Sequence, residues 1–176
     1  PESFALTLNG APVSVDADGG WWVDRSLRTV RLDAALLRRG ANTLELRWMF
    51  DERHPGLELI YLLGNFGVTL AAGQPVVGAP VAQLTLGDWV TQGLTFYSGS
   101  VTYRQTLPVR LGEDERLAIR VAAYAGTAVR IWINGTAAGI VAWEPNELDI
   151  TDRVRGRETV ELGIQVLGHR RNSHGP

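Results

Sequence analysis

Val129-Arg130-Ile131-Trp132-Ile133-Asn134-Gly135 is the stretch that decides the fold. Its branched side chains fall at every second position, with Arg130, Trp132 and Asn134 between them. That period is the mark of a strand with one face in a core and the other in water. Asn followed by Gly supplies the two positive φ values of a type I′ turn, so the strand reverses within two residues. The same pattern opens the chain as Phe4-Ala5-Leu6-Thr7-Leu8-Asn9-Gly10. Downstream, Gly40-Ala41-Asn42-Thr43-Leu44-Glu45-Leu46 matches Gly156-Arg157-Glu158-Thr159-Val160-Glu161-Leu162. Between them, Val30-Arg31-Leu32-Asp33 and Glu147-Leu148-Asp149-Ile150 each lead into the turn before the glycine. The first copy is nine residues longer between Asn-Gly and Gly, 30 positions against 21, and the excess holds Asp18-Gly19-Gly20-Trp21-Trp22.

Outward from this repeat the rest of the chain reads as strands. Val160, Leu162, Ile164 and Val166 alternate with Glu161, Gly163 and Gln165, and Leu117, Ile119 and Val121 alternate with Ala118, Arg120 and Ala122. Twenty glycines and eight prolines punctuate the chain at the short intervals of a β protein. The best helix candidate, Asp33 to Gly40, has Asp33 as cap and Gly40 as stop and allows two turns at most. The fold class is therefore all-β. Two copies with different material between them are equivalent halves of two homologous domains rather than a solenoid. We expect residues 1–63 to be the C-terminal half of a truncated β-sandwich, 64–80 a Gly/Pro/Ala-rich linker, and 81–176 a complete sandwich. A half-sandwich leaves an apolar face uncovered, so Phe4, Leu6, Leu8, Leu44, Leu46 and Trp48 should be more exposed than Val129, Ile131, Ile133, Val160, Leu162 and Ile164. The chain opens without Met and stops at His174-Gly175-Pro176, which suggests an internal piece of a longer polypeptide.

Composition removes several function classes. The 176 residues carry 17 basic and 19 acidic side chains for a net charge of -2, so no basic field draws the chain to nucleic acid. Every basic residue is arginine, which excludes a lysine nucleophile, a Schiff base or a P-loop lysine. There is no cysteine for a disulfide or a thiolate zinc site, and no apolar run reaches membrane-spanning length.

The motifs resemble the galactose-binding-like, or jelly-roll, "sugar-binding" β-sandwich domains of bacterial glycoside hydrolases of the family 2 type. The resemblance is carried by Gly87-Asp88-Trp89, Gln92 to Gly99, Val101-Thr102-Tyr103-Arg104, Val129 to Gly135 and Gly168 to Asn172. Leu57 to Val68 resembles the segment that joins two such sandwiches. The resemblance implies a non-catalytic ancillary region of a glycan-degrading enzyme, periplasmic or secreted, with carbohydrate or the parent's catalytic domain as partner. The alternative is an adhesion or scaffold sandwich with no sugar role.

The residues themselves offer little catalytic chemistry. Asp24, Asp51, Glu52, Glu58, Asp88, Glu144 and Asp149 lie near aromatics or turns, but none sits in a hydrolytic motif, and Asp149 reads as the cap of the turn that follows it. His54, His169 and His174 are too scattered for a zinc or triad signature; His169 to His174 reads as a solvated terminal loop. Asp16-Ala17-Asp18-Gly19 begins like a calcium loop, yet the twelfth position, where a bidentate Glu belongs, is Leu27. Related sandwiches hold structural calcium through backbone carbonyls; here the loop is read as a turn and no cofactor is expected. Sugars stack on flat rings while polar edges bind their hydroxyls, which makes the six tryptophans informative. Trp132 points away from the core by alternation, and Trp89, Tyr97 and Trp143 fall in or beside turns. Arg130 and Asn134 share Trp132's outward face as donors, with Arg104 and His169 as further candidates for carbohydrate contact.

Overall fold

The computed structural model describes residues 4–15, 19–52 and 59–174; the side chains of 172 and 174 are outside that description. Residues 16–18 of the Asp16–Gly19 stretch read as a turn, together with His54 and Glu58, also lie outside the described residues. The chain divides into two compact units, Pro1–Tyr61 and Leu62–Pro176. Among the described residues both are nearly all β, with antiparallel sheets and no closed barrel.

In the first unit β1 (Phe4–Leu8) pairs with β2 (Ala11–Val13), β3 (Trp21–Trp22) with β4 (Asp24–Arg28), and β5 (Leu44–Trp48) with the far edge of β1. The main sheet is thus β2-β1-β5. The helix expected over 33–40 shortens to a 3-10 turn, Ala34–Leu36. Asp33 caps it as predicted, its side chain accepting from the Ala35 amide at 2.9 Å. The turn stops early because Asn42 takes both backbone groups of Arg38, each at 2.8 Å, and holds them away from a helix.

In the second unit β6 (Gly67–Ala71) and β7 (Gln74–Gly78) form a hairpin inside the stretch expected as a linker. It is tied to the rest of the unit by Val68, whose amide donates to the Gly93 carbonyl at 2.8 Å. Next come β8 (Ser100–Pro108), β9 (Ala118–Arg120), β10 (Ala128–Ile133), β11 (Thr136–Val141), β12 (Glu147–Asp149), the single-turn helix α1 (Thr151–Val154), β13 (Thr159–Leu167) and the short helix α2 (Arg171–His174). One sheet runs β11-β10-β13-β8 and a second, smaller one is β12-β9. The core between them holds Val129, Ile131 and Ile133 from β10 and Val160 from β13, with Val109, Val141, Ile150 and Val154. Ile119 and Leu148 close it from the small sheet. Gly139 permits this closure, since a Cβ there would meet Leu148 Cδ1 at 2.7 Å. The unit is a β-sandwich.

The two Asn-Gly turns occupy the same place in their sheets. Asn9 and Asn134 have φ of 53° and 49°, and Gly10 and Gly135 of 83° and 75°, the signature of type I′. β2-β1-β5 and β11-β10-β13 share strand order and direction. Each Asn also bridges to the next strand. Thr43 donates to Asn9 Oδ1 at 3.0 Å, and Glu161 donates to Asn134 Oδ1 at 2.8 Å. These contacts align Thr43 with Glu161, two places from the match that sequence similarity makes. The slip of two preserves which face every later side chain takes.

The expected exposure difference is found only in part. Phe4 is 40% exposed where Val129 is fully buried, and Leu44 is 39% exposed. Leu6 and Leu8, however, are as buried as core residues of the second unit. They sit on β1, the central strand of their sheet, and the connection from the 3-10 turn is drawn to its end by Asn9, whose Nδ2 donates to the Leu36 carbonyl at 2.8 Å.

Candidate functional site

Three of the sequence-predicted residues come together on the outward face of the large sheet. Across β8-β13-β10-β11 the register sets Arg104 opposite Gly163, Gly163 opposite Trp132, and Trp132 opposite Ala137. The next row is Thr102, Gln165, Arg130 and Ile140. Directly opposed residues share a face, so Trp132, Arg130 and Arg104 are joined there by Gln165, Thr102 and the exposed Ile140. Alternation along β13 places Gln165 outward, but its place beside Arg130 depends on a pairing between strands far apart in sequence.

Trp132 is half-buried, and what covers it is specific. A Cβ at Gly163 would lie 3.1 Å from Trp132 Cβ and 3.7 Å from Cγ and Cδ1, so the glycine leaves room for the indole beside β13. Arg130 reaches over the ring with Cζ 5.9 Å from the centroid, a cation–π distance. Its Nη1 donates to Gln165 Oε1 at 3.4 Å. The guanidinium is thus positioned by a ring and a neutral amide, neither of which cancels its charge.

The other predicted residues lie elsewhere. Asn134 is at the turn, its side-chain oxygen accepting from Glu161. Trp89 donates through Nε1 to the Tyr103 hydroxyl at 2.7 Å and meets Tyr97 edge-on with centroids 6.4 Å apart. Tyr103 is opposite Ile164, on the core-facing side of β8, so this aromatic cluster belongs to the other side of the sheet. Trp143 stands 79% exposed in the turn after β11, a turn braced by the Asn146 amide on the Trp143 carbonyl and by Asn146 Nδ2 on Glu144 Oε1. His169 is half-buried in the segment leading to α2, where a solvated loop was expected, and its Nδ1 is buried with no hydrogen-bond partner among the described residues. The preceding Gly168 presses against the Ser98 and Gly99 backbone and donates to the Gly99 carbonyl at 3.1 Å.

A second concentration of polar groups is a hollow of about 560 Å³ lined in part by Glu113, Asp114, Arg116, Asp149, Asp152 and Arg155. Several of its charged groups hold the fold. Arg155 donates from Nη1 to the carbonyls of Gly112 and Glu113 and from Nη2 to that of Glu115. Asp149 accepts from the Thr151 amide at 2.8 Å and lies 3.8 Å from Arg116. Hydrogen bonds from the Thr151 side chain and amide, and the Arg116 charge, hold its carboxyl below the usual carboxylate range. The Thr151 hydroxyl in turn accepts from the Leu117 amide at 3.0 Å. Among the described residues no group of three or more His, Cys, Asp or Glu side chains is arranged to hold a metal ion.

No family model and no curated protein sequence matches the chain. Among solved structures it is similar to a rhamnosidase from Novosphingobium sp. PP1Y, at 23% identity over 71% of this chain with a TM-score of 0.41. The chain spans 12% of that protein's length.

Proposed function

We propose that the chain is a non-catalytic ancillary β-sandwich region of a bacterial glycan-degrading glycoside hydrolase, periplasmic or secreted, whose second unit meets carbohydrate weakly through the outward face of its large sheet. The motif resemblance to galactose-binding-like sandwiches suggests the class. The observation that carries the reading is the composition of that face. The sheet's core-facing side is aliphatic along β10 and β13, while its outward side sets an indole, two guanidiniums, an amide and a hydroxyl on rigid paired strands. Those are the groups that meet the apolar flanks and hydroxyl rims of sugars. Calorimetric titration of the chain with a panel of plant and bacterial oligosaccharides tests it. Binding at millimolar ligand that is lost in Trp132→Leu, with the melting temperature kept, supports the reading. Failure of every oligosaccharide to bind at that concentration removes it.

A second reading is favoured by a different observation. Residues 62–87 carry no charged side chain, yet Leu62, Leu63, Leu70, Val77 and Leu86 are each 47% exposed or more. An uncharged apolar surface of this kind suits packing on a neighbouring domain of the parent enzyme. Carbohydrate contact and docking use different residues and are compatible.

A further inference from the structure

The two units carry an internal comparison. Each has a sheet with the same strand order and the same Asn-Gly turn, and β1–β5 and β10–β13 have the same register, so position for position the outward faces of those strands can be set side by side. Where the second unit has Arg130 and Trp132, the first has Ala5 and Thr7; where the second has Gly163 and Gln165, the first has Glu45 and Arg47. Glu45 and Arg47 neutralise each other at 2.7 Å. The fold therefore needs neither the indole nor an uncancelled guanidinium at these places.

Resting on the carbohydrate reading above, we propose that this face of the second unit selects saccharides bearing carboxylates, that is, chains containing uronic acid residues. Arg130 is held by Trp132 and Gln165 with its charge intact, so less side-chain freedom remains to be lost when it pairs with an anion. Arg104 makes no ion pair among the described residues and stands two strands away, about 10 Å across the sheet. The backbone positions of the two arginines are far enough apart for their side chains to meet different carboxylates of one chain, with Gln165 on the strand between them and Thr102 beside Arg104 on β8 for hydroxyls. Glu161, beside Thr106 and Asn134, is the one carboxylate at an outward position of these strands. It lies on the turn side of Gly163 and Arg130 on the other, so an anion is favoured at the Arg130 end. Guanidinium pairs carboxylate in a bidentate, charge-assisted way that neutral sugars cannot supply.

The test uses the intact chain, with backbone amide shifts of β10 and β13 followed by NMR at low salt. The probes are an oligogalacturonate, a neutral oligosaccharide of equal length and an oligoglutamate peptide. We expect the oligogalacturonate to bind, the neutral oligosaccharide to bind about tenfold more weakly, and added salt to close the gap. Arg130→Gln should weaken acidic binding about tenfold, the loss of one charge-assisted contact, and Arg104→Gln by less, both with unchanged melting. Equal affinity for acidic and neutral saccharides overturns the selectivity and leaves the carbohydrate reading standing. Equal affinity for oligoglutamate overturns it in favour of a general anion patch. If no saccharide binds at millimolar concentration, both fall.

Discussion

At Asn9 and Asn134 a single side chain does two tasks, and they predict different losses. Both adopt positive φ, where a Cβ is disfavoured, and both accept a backbone amide from the next strand. Asn134→Ala should cost about 1–2 kcal/mol, from one hydrogen bond and a strained turn. Asn9 also donates to Leu36 and to Asn42 at 2.8 Å each, so Asn9→Ala unhooks a whole connection. Hydrogen exchange should show the Leu36 and Leu37 amides losing protection in Asn9→Ala while β10 is unaffected; unchanged exchange there would refute the bracing role. Asp149 supplies a pH signature at the same scale. Its folded carboxyl titrates lower than in the unfolded chain because Thr151 and Arg116 favour the ionised form. Its contribution is therefore full above the unfolded value near 3.8 and lost as pH falls through the lower, folded value. Urea melts of wild type and Asp149→Asn should differ at neutral pH and converge as pH drops below that value. A gap that persists to strongly acid pH would mean the carboxylate's charge is irrelevant.

Elements were legible in the sequence wherever one strong local pattern acted alone. The alternation in β10 and β13 and the Asn-Gly turns gave strand, face and reversal directly, and their repetition gave the common sheet. What was illegible depended on partners distant in sequence. The 3-10 turn is short because Asn42 diverts Arg38, and the slip of Thr43 onto Glu161 is set by the Asn bridges rather than by residue similarity. Gln165 joined the candidate face only through register. The stretch from 64 to 80 looked like a linker because Gly, Pro and Ala mark loops, yet the same residues form β6 and β7 around Ala72-Gly73, both at positive φ. A further case is the loop Gly112 to Glu115, where the carbonyls of Gly112, Glu113 and Glu115 converge on Arg155 while the Glu115 side chain accepts from the Gly112 amide at 2.8 Å. The guanidinium does what a cation would do in a carbonyl cradle. Arg155→Ala should loosen this loop and cost about 1–3 kcal/mol, and Arg155→Lys should recover little, because a point ammonium lacks the planar fork. Full stability in the lysine variant would show that charge alone holds the loop.

At the scale of the whole molecule, exposed apolar surface in the second unit is concentrated rather than scattered. In the β6–β7 hairpin Val68 faces Val77 and Leu70 faces Pro75 on one side, and Leu70 and Val77 are each 53% exposed. An isolated hairpin is marginal in water, and with no charge between residues 59 and 87 nothing discourages association through this stretch. We therefore expect the chain in isolation to bind a hydrophobic dye and to grow in apparent mass with concentration. Replacing Leu70 and Val77 together by Thr keeps β-propensity and removes the apolar side. That variant should bind less dye and lose the concentration dependence, while the melting transition of the second unit stays in place, since its core lies in β10, β13 and the small sheet. If the double variant instead unfolds the second unit, the hairpin is part of that unit's own core support and the docking reading of the surface fails. If dye binding and mass are unchanged, the sticky surface lies elsewhere, and Met49 and Phe50, 89% and 71% exposed in the first unit, are the next residues to change.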